Sequence, residues 1–364
     1  MTTNQTTAAE FRLPSVDLNA EMAFFRGIGF RLDQIFPADD PAVAVMSGHG
    51  LRLRLQRGAA EAPGAIRILC DDPVGFADGA SELTAPNGTV IEIARLNPPL
   101  DIPPTQHQFM VRHLRDEAPW VIGRAGMHYR DLIPDRLGGS IIASHIRIPD
   151  GGPVPDMVHY HTVGFQLIYC YRGWVDVVYE DQGPPMRLHG GDCVIQPPEI
   201  RHRVLEASDN VEVVEIGVPA EHVTTIDHEM TLPTGGHNPG RRFQGQRFVH
   251  HQAKDAEWTP WRLPGFEHRE TGINDGTDGV ASVQVARRTD GPVPVWSHQG
   301  DILFTFVLEG GMTLSTPDQA AERLAPGDAF VIPPGTETAF ADCSEDLELL
   351  EVALPGRFAT GLRS

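Results

Sequence analysis

The sequence predicts a mainly β protein: a small α+β module of βαβββ order followed by two tandem β-barrels. Three observations predict this. Glycine and proline together account for 37 and 31 of 364 residues, more punctuation than a helical protein tolerates, which points to many short strands joined by turns. Short alternating apolar runs recur between Gly, Pro and Asp turns. An internal repeat is visible, its Gly-Pro-Val-Pro turns starting at Gly152 and Gly291, and an all-strand repeat of that length means duplicated β-domains.

In chain order, residues 1–100 form the first block. Val16 to Phe30 reads as a strand end and a short amphipathic helix, capped by Asp17 or Asn19 and closed by Gly27 or Gly29. Strand-like runs follow at Ala42–Met46, Leu51–Leu55, Ile66–Cys70 and, after the Pro86-Asn87-Gly88 turn, Thr89–Ile93. Residues 101–136 read as a connector, with a proline-rich start and a helix over Thr105–Asp116. The repeats lie at 137–232 and 260–364, joined by a linker at 233–259. Each repeat carries a Gly-Asp turn before a strand ending in Pro-Pro, at Gly191-Asp192 to Pro198 and Gly327-Asp328 to Pro334.

Charge excludes some functions. Acidic residues exceed basic ones by 49 to 29, a formal charge of −20. A field of that sign repels phosphate backbones and anionic lipid, so neither nucleic acid nor membrane is an expected partner. No run approaches the roughly 20 apolar residues of a membrane span. The polar stretch Met1–Glu10 has no apolar core of a signal peptide. The four scattered cysteines contain no C-x-x-C pair, which fits a reduced, cytoplasmic setting.

The middle repeat carries the chemistry. His159-Tyr160-His161 lies on an extended segment, and alternation sends both imidazoles to one face. Gln166 follows. His202 comes after the Gly191 turn and brings a third imidazole on another strand. Three neutral imidazoles converging inside a barrel suit a borderline divalent metal such as Fe(II), Ni, Cu or Zn. Ile141–Ile148 reads as a strand on which His145 and Arg147 share a face. If that face lines the barrel, Arg147 can clamp a substrate carboxylate; otherwise it is an exposed strand face. Cys170 has Gln166's parity and reads as a buried, inert thiol. His222, His228, His250 and His251 read as surface.

These motifs resemble the cupin superfamily. The first reads Gly152, six residues, His159-x-His161, four residues, Gln166, six residues, Gly173. The second reads Gly191, five residues, Pro197-x-Glu199, two residues, His202. The resemblance implies metal ligation by His159, His161 and His202. Gln166 stands where the family has glutamate, and Glu199 where it has a turn glycine. Gln166 is open as ligand, hydrogen bonder or substrate contact, and cannot be a base near neutral pH.

By the resemblance the chain is a bicupin metalloenzyme, first of all a non-haem iron dioxygenase for a small oxygen-chelating substrate (phenolic, hydroxy-acid or diketone). The implied metal is Fe(II), with Zn, Ni or Mn as alternatives, and O₂ is the co-substrate. A Lewis-acid isomerase, lyase or hydrolase is the alternative; it needs a base from His145, Glu206 or Glu215. A non-catalytic small-molecule binder is the third reading. A homodimer is expected by analogy.

In the last repeat the alignment puts His298 at the position of His159, Gly300 at the second ligand position, Thr305 at that of Gln166 and Thr338 at that of His202. One imidazole is too few, so this barrel is expected to be metal-free. Block 1 resembles a single module of the glyoxalase and vicinal-oxygen-chelate superfamily, on Ala23-Phe24-Phe25-Arg26 to Gly29-Phe30 and on Pro86 to Glu92. Glu92 matches that family's carboxylate ligand, but the first strand offers Arg12 and Leu13 rather than His. The module is read as structural or as a lid.

Overall fold

The computed structural model describes residues 9–37, 41–116 and 120–363. Apart from Ala9 and Glu10, the polar N-terminal stretch lies outside them. The chain divides into two units, Met1–Pro99 and Leu100–Ser364.

The first unit holds β1 (Phe11–Ser15), α1 (Leu18–Gly27), β2 (Arg31–Phe36), β3 (Val43–Gly48) and β4 (Leu51–Arg57) in one sheet of order β1-β4-β3-β2. Asp17 caps α1, its Oδ1 accepting from the Asn19 and Ala20 amides at 3.1 Å. Leu18, Met22 and Phe25 bury the helix's apolar face on that sheet. The βαβββ run is thus complete by Arg57. A shortened second copy follows, where one module was expected: β5 (Ala65–Cys70), α2 (Pro73–Phe76), β6 (Glu82–Thr84) and β7 (Val90–Arg95), in the order β5-β7-β6. In both copies the first strand pairs in parallel with the last. Glu92 is exposed and paired with Arg67 at 3.1 Å, and among the described residues it belongs to no cluster of metal-ligating groups.

The second unit has two halves of matching layout. After β8 (Met110–Arg112), the first half runs β9 (Val121–Ile122), β10 (His128–Asp131), β11 (Ile142–Ile148), β12 (Gly152–Pro153), β13 (His159–Thr162), β14 (Phe165–Arg172), β15 (Trp174–Tyr179), β16 (Met186–His189), β17 (Cys193–Ile195), β18 (His202–Ala207), β19 (Val211–Val218) and β20 (Val223–Ile226). The segment between the halves holds a hairpin of β21 (Arg242–Phe243) and β22 (Gln246–Arg247), then β23 (Val249–His251). The second half runs β24 (Thr259–Pro260), β25 (Phe266–Glu270), β26 (Ser282–Arg288), β27 (Val295–His298), β28 (Ile302–Glu309), β29 (Met312–Ser315), β30 (Glu322–Leu324), β31 (Ala329–Val331), β32 (Ala339–Ala341), β33 (Glu348–Leu354) and β34 (Thr360–Arg363).

Each half folds into a barrel whose larger sheet has seven strands. Their orders are β23-β17-β14-β19-β11-β10-β9 and β8-β31-β28-β33-β26-β25-β24. The end strands are exchanged. The strand preceding each half, β8 or β23, pairs with the other half's sheet. The expected helix at Thr105–Asp116 is therefore absent. Residues 101–109 are irregular, and Met110–Arg112 are extended because Val331 to Ala329 supply their backbone partners.

The Gly-Asp turns anchor the exchange. Asp328 Oδ1 accepts from the Leu114 amide and Asp192 Oδ1 from the Ala253 amide, both at 2.7 Å. Arg130 donates to the Gly327 carbonyl and Arg269 to that of Gly191. The two large sheets bury a shared core, including Leu167, Tyr169 and Ile216 from one half and Phe304, Phe306 and Val352 from the other.

Candidate metal centre

β13 carries His159 and His161 on one face, and it pairs with β18 so that His159 lies directly opposite His202. The ring centroids are 4.2 Å (His159–His202), 5.1 Å (His159–His161) and 5.2 Å (His161–His202) apart. One nitrogen from each ring lies within 4.8 Å of the others, and all three residues are buried. Among the described residues this is the one such cluster of His, Cys, Asp and Glu.

Each ring is fixed through Nδ1. His159 Nδ1 donates to the Met157 carbonyl at 2.7 Å and His202 Nδ1 to the Ile200 carbonyl at 2.9 Å. His161 Nδ1 bonds Thr224 Oγ1 at 2.9 Å. Carbonyls only accept, so the bonds of His159 and His202 set the tautomer and leave an Nε2 lone pair free, as metal-binding histidines require; the Thr224 hydroxyl can accept from His161 in the same way. His159 Nε2 is buried with no partner. Burial, then neighbouring charge, pushes all three pKa values down, so the imidazoles stay neutral at neutral pH. A divalent metal fits this donor set.

The turn before His202 keeps its shape without glycine. Glu199 adopts φ 63°, and its amide donates to the His161 carbonyl at 3.0 Å. This left-handed conformation costs a non-glycine residue about 1 kcal/mol.

A cavity of about 70 Å³ opens beside the triad, walled by Ile146, Ile148, Ile168, Val175, Val177 and Val213 and reached by His161, His202, Arg124, Gln196 and Glu215. Tyr179 lies at 5.5 Å over His202 and accepts from Gln196 Nε2 at 2.9 Å. Glu215 on β19 accepts from Gln166 Nε2 at 2.6 Å. Burial raises the Glu215 pKa, against the pull of that bond. Gln166 is fully buried, and its Oε1 has no partner.

Two expected site residues point elsewhere. Alternation on β11 gives the cavity Ile146 and Ile148, so His145 and Arg147 face the opposite way. His145 is buried in the shared core against Trp120, Tyr171 and Phe306, between Glu212 (2.7 Å) and Arg130 (3.2 Å). Arg147 bonds Asn210 Oδ1 at 2.6 Å. Glu206 is exposed. Cys170 is buried in the barrel interior, and burial pushes its thiol up to about 12; all four cysteines are free thiols.

Other residues were hidden from the sequence. Arg124, in a loop before β10, reaches the cavity and is held by Asp156. His222 is half-buried, 5.5 Å from His161, rather than a surface residue. His250 and His251 belong to β23, and His251 is buried. Arg124 follows no motif; its signal was its counterpart Arg262 at the same place in the repeat.

No family model and no curated protein matches this sequence. Solved structures do. A salicylate 1,2-dioxygenase from Pseudaminobacter salicylatoxidans matches with a TM-score of 0.53 and 15% identity, over 72% of this chain and 90% of its own. A variant of it in complex with gentisate gives 0.53 and 15%, over 72% and 88%. A variant of Bacillus subtilis oxalate decarboxylase gives 0.51 and 10%, over 70% and 79%. The fold is two tandem cupin barrels. At these identities the likeness is one of fold.

The cupin register corrects the expected alignment of the second barrel. Trp296 pairs with Thr338 as His159 pairs with His202. The Gly335 amide bonds the His298 carbonyl as that of Glu199 bonds His161. Leu303 faces Ala353 as Gln166 faces Gly217. So Trp296, His298, Leu303 and Thr338 match His159, His161, Gln166 and His202, a slip of two from the expected places except at Thr338. Two residues fewer separate the Gly-Pro-Val-Pro turn from this strand, and a slip of two preserves alternation. The second barrel's interior is packed with Trp296, Phe330 and Phe340, and His298 Nε2 donates to the Ile332 carbonyl.

Proposed function

We propose that the first cupin barrel is the metal-dependent active site of a non-haem iron dioxygenase, and that His159, His161 and His202 are its protein ligands. The observation that carries this is the convergence of three neutral imidazoles whose Nδ1 atoms are all tied, one of them with a buried Nε2 that lacks any partner. Fe(II) is the metal of choice, with Zn, Ni and Mn the alternatives. The bound ion supplies Lewis acidity and, as iron, the redox chemistry of O₂.

The chain's own residues do the rest. The aliphatic walls exclude water from a small oxygen-chelating substrate, phenolic, hydroxy-acid or diketone in type. Gln166 uses its amide N–H to orient Glu215 and keeps Oε1 for the ion or the substrate. The salicylate and gentisate named for the matched structures support a small-molecule oxidation, without transferring either compound to this site. The second barrel is metal-free and serves packing. The first unit is a glyoxalase-like structural module or lid, the protein is cytoplasmic, and the assembly is a homodimer.

One observation favours a second reading. Glu215 supplies the base that Lewis-acid lyase or isomerase chemistry requires, so turnover without oxygen would select it.

Elemental mass spectrometry on the untagged wild type and on His161→Ala tests the site. About one iron per chain, lost in the variant, is expected, with oxygen uptake on catechols or diketones. A wild type with no metal, and none gained on reconstitution, overturns the proposal.

A further inference from the structure

A second buried polar cluster lies behind the cavity wall, on the seam between the barrels. The same strands supply both. β10 gives Tyr129 to the cavity and Arg130 to the seam; β11 gives Ile146 to the cavity and His145 to the seam; β19 gives Val213 and Glu212 in the same way. Arg130 and His145 are both buried. Arg130 Nη1 donates to the His113 carbonyl at 3.2 Å, just past the exchanged strand β8, and Nη2 donates to the Gly327 carbonyl in the turn that holds it. Nη2 also donates to His145 Nδ1 at 3.2 Å. A guanidinium has donors only, so Nδ1 is the accepting nitrogen; Nε2 carries the ring hydrogen and donates to Glu212 at 2.7 Å.

That arrangement holds for one protonation state. A proton on Nδ1 sets N–H against N–H and a second cation against Arg130, among the rings of Trp120, Tyr171 and Phe306. The charges around the imidazole are Glu212, Arg130 and Arg172; those around Arg130 are Arg112, Asp328, Asp116 and Glu212. Tyr171 keeps its proton and donates it to the Leu308 carbonyl at 3.0 Å. Burial outweighs the pull of Glu212 and holds His145 below the ordinary imidazole value. Arg130, lowered by burial to about 10, stays charged. At the matching register of the second barrel Arg269 lies opposite Val285, which has no proton to gain.

We infer that His145 is an acid-sensitive latch on the exchanged strand β8: with Nδ1 bare it steadies Arg130 on the His113 and Gly327 carbonyls, and a proton at Nδ1 turns Arg130 away and loosens the seam. A histidine held below its unfolded value contributes fully above the ordinary imidazole range and loses that contribution as pH falls through it. His113, between Asp328 and Glu322, responds to acid in the opposite sense, so the latch is read from a pair of proteins that share His113.

Amide hydrogen exchange on the full chain, read by mass spectrometry at pH 7.5 and pH 5.5 and corrected for intrinsic rates, compares wild type with His145→Gln. Glutamine keeps an acceptor for Arg130 and a donor for Glu212 and takes up no proton. At pH 7.5 the two are expected to protect residues 110–112 equally; at pH 5.5 the wild type is expected to fall behind by about three- to tenfold. Equal protection of the two proteins at both pH values overturns the inference. If the glutamine variant is unprotected already at pH 7.5, an NMR titration of ¹³C-labelled histidines in the wild type decides. A His145 ring that takes up its proton over the range in which residues 110–112 lose protection supports the latch. Protection that outlasts the protonation of that ring, or that is lost while the ring stays unprotonated, overturns it.

Discussion

The two barrels place the same backbone positions around the same interior and fill them for opposite purposes. Where the first has His159, Gln166 and His202, the second has Trp296, Leu303 and Thr338. The contrast extends to charge. Glu215 and Glu351 occupy one register position, opposite Ile168 and Thr305. In the second barrel Arg262 grips both oxygens of Glu351, with the aromatic rings of Trp261, Trp296 and Phe358 around its guanidinium. In the first, the matching Arg124 turns to Asp156 instead, and Glu215 is left facing the cavity. Asp156 lies in the turn that is two residues longer there. A loop insertion thus frees a carboxyl that the other barrel locks in an ion pair and leaves it at the cavity wall.

The largest break in the comparison is expected at Trp296, which is 2% exposed. Trp296→Ala should cost about 3–5 kcal/mol in denaturant unfolding. His159→Ala at the matching position should cost far less stability but lose the metal. Next comes the ion pair. Arg262→Ala strands Glu351 in the core and should cost about 3–5 kcal/mol, whereas Glu215→Gln should leave the unfolding midpoint nearly unchanged.

A smaller effect tracks pH across the exchanged strands. His113 lies between Asp328 (2.9 Å) and Glu322 (3.2 Å), with Asp116, Arg115 and Arg130 close by. Burial lowers its pKa, but the two carboxylates more than offset that and leave it raised. A raised folded pKa gives stability that is full below the unfolded value and lost as pH rises through the folded one. The stability that His113 itself adds should therefore be lost as pH rises above the ordinary imidazole range, so the melting-temperature difference between wild type and His113→Gln should shrink from pH 6 to pH 9. The smallest effect is at Glu199: glycine there relieves the left-handed strain, and Glu199→Gly should gain up to about 1 kcal/mol.

The triad was legible because a His-x-His on a strand and a third histidine after a Gly-Asp turn depend on local spacing alone. The barrels were legible through their repeat. The side of β11 was not: HIRI alternates equally well either way, and only the shared core decides that His145 packs on Phe306. Arg124 and His222 lie in loops without a motif. The helix expected at 105–116 failed because the partner of Val111 is Phe330, a pairing no local pattern encodes. The second copy in the first unit was missed because α2 has four residues and β6 three, too few to show a period.

The exchanged strands also set a timetable for synthesis. β23 completes the first barrel's sheet once residue 251 has been made, but β8, emitted before that barrel, must wait for Ala329–Val331. At about 5–20 residues per second, that delay is on the order of ten to forty seconds, during which Met110–Arg112 have no backbone partners. A transcript cut between the repeats would yield one barrel carrying a spare strand and another short of one. The barrel without a ligand set is thereby tied into the birth of the barrel that has one, and neither can be shed as a separate piece.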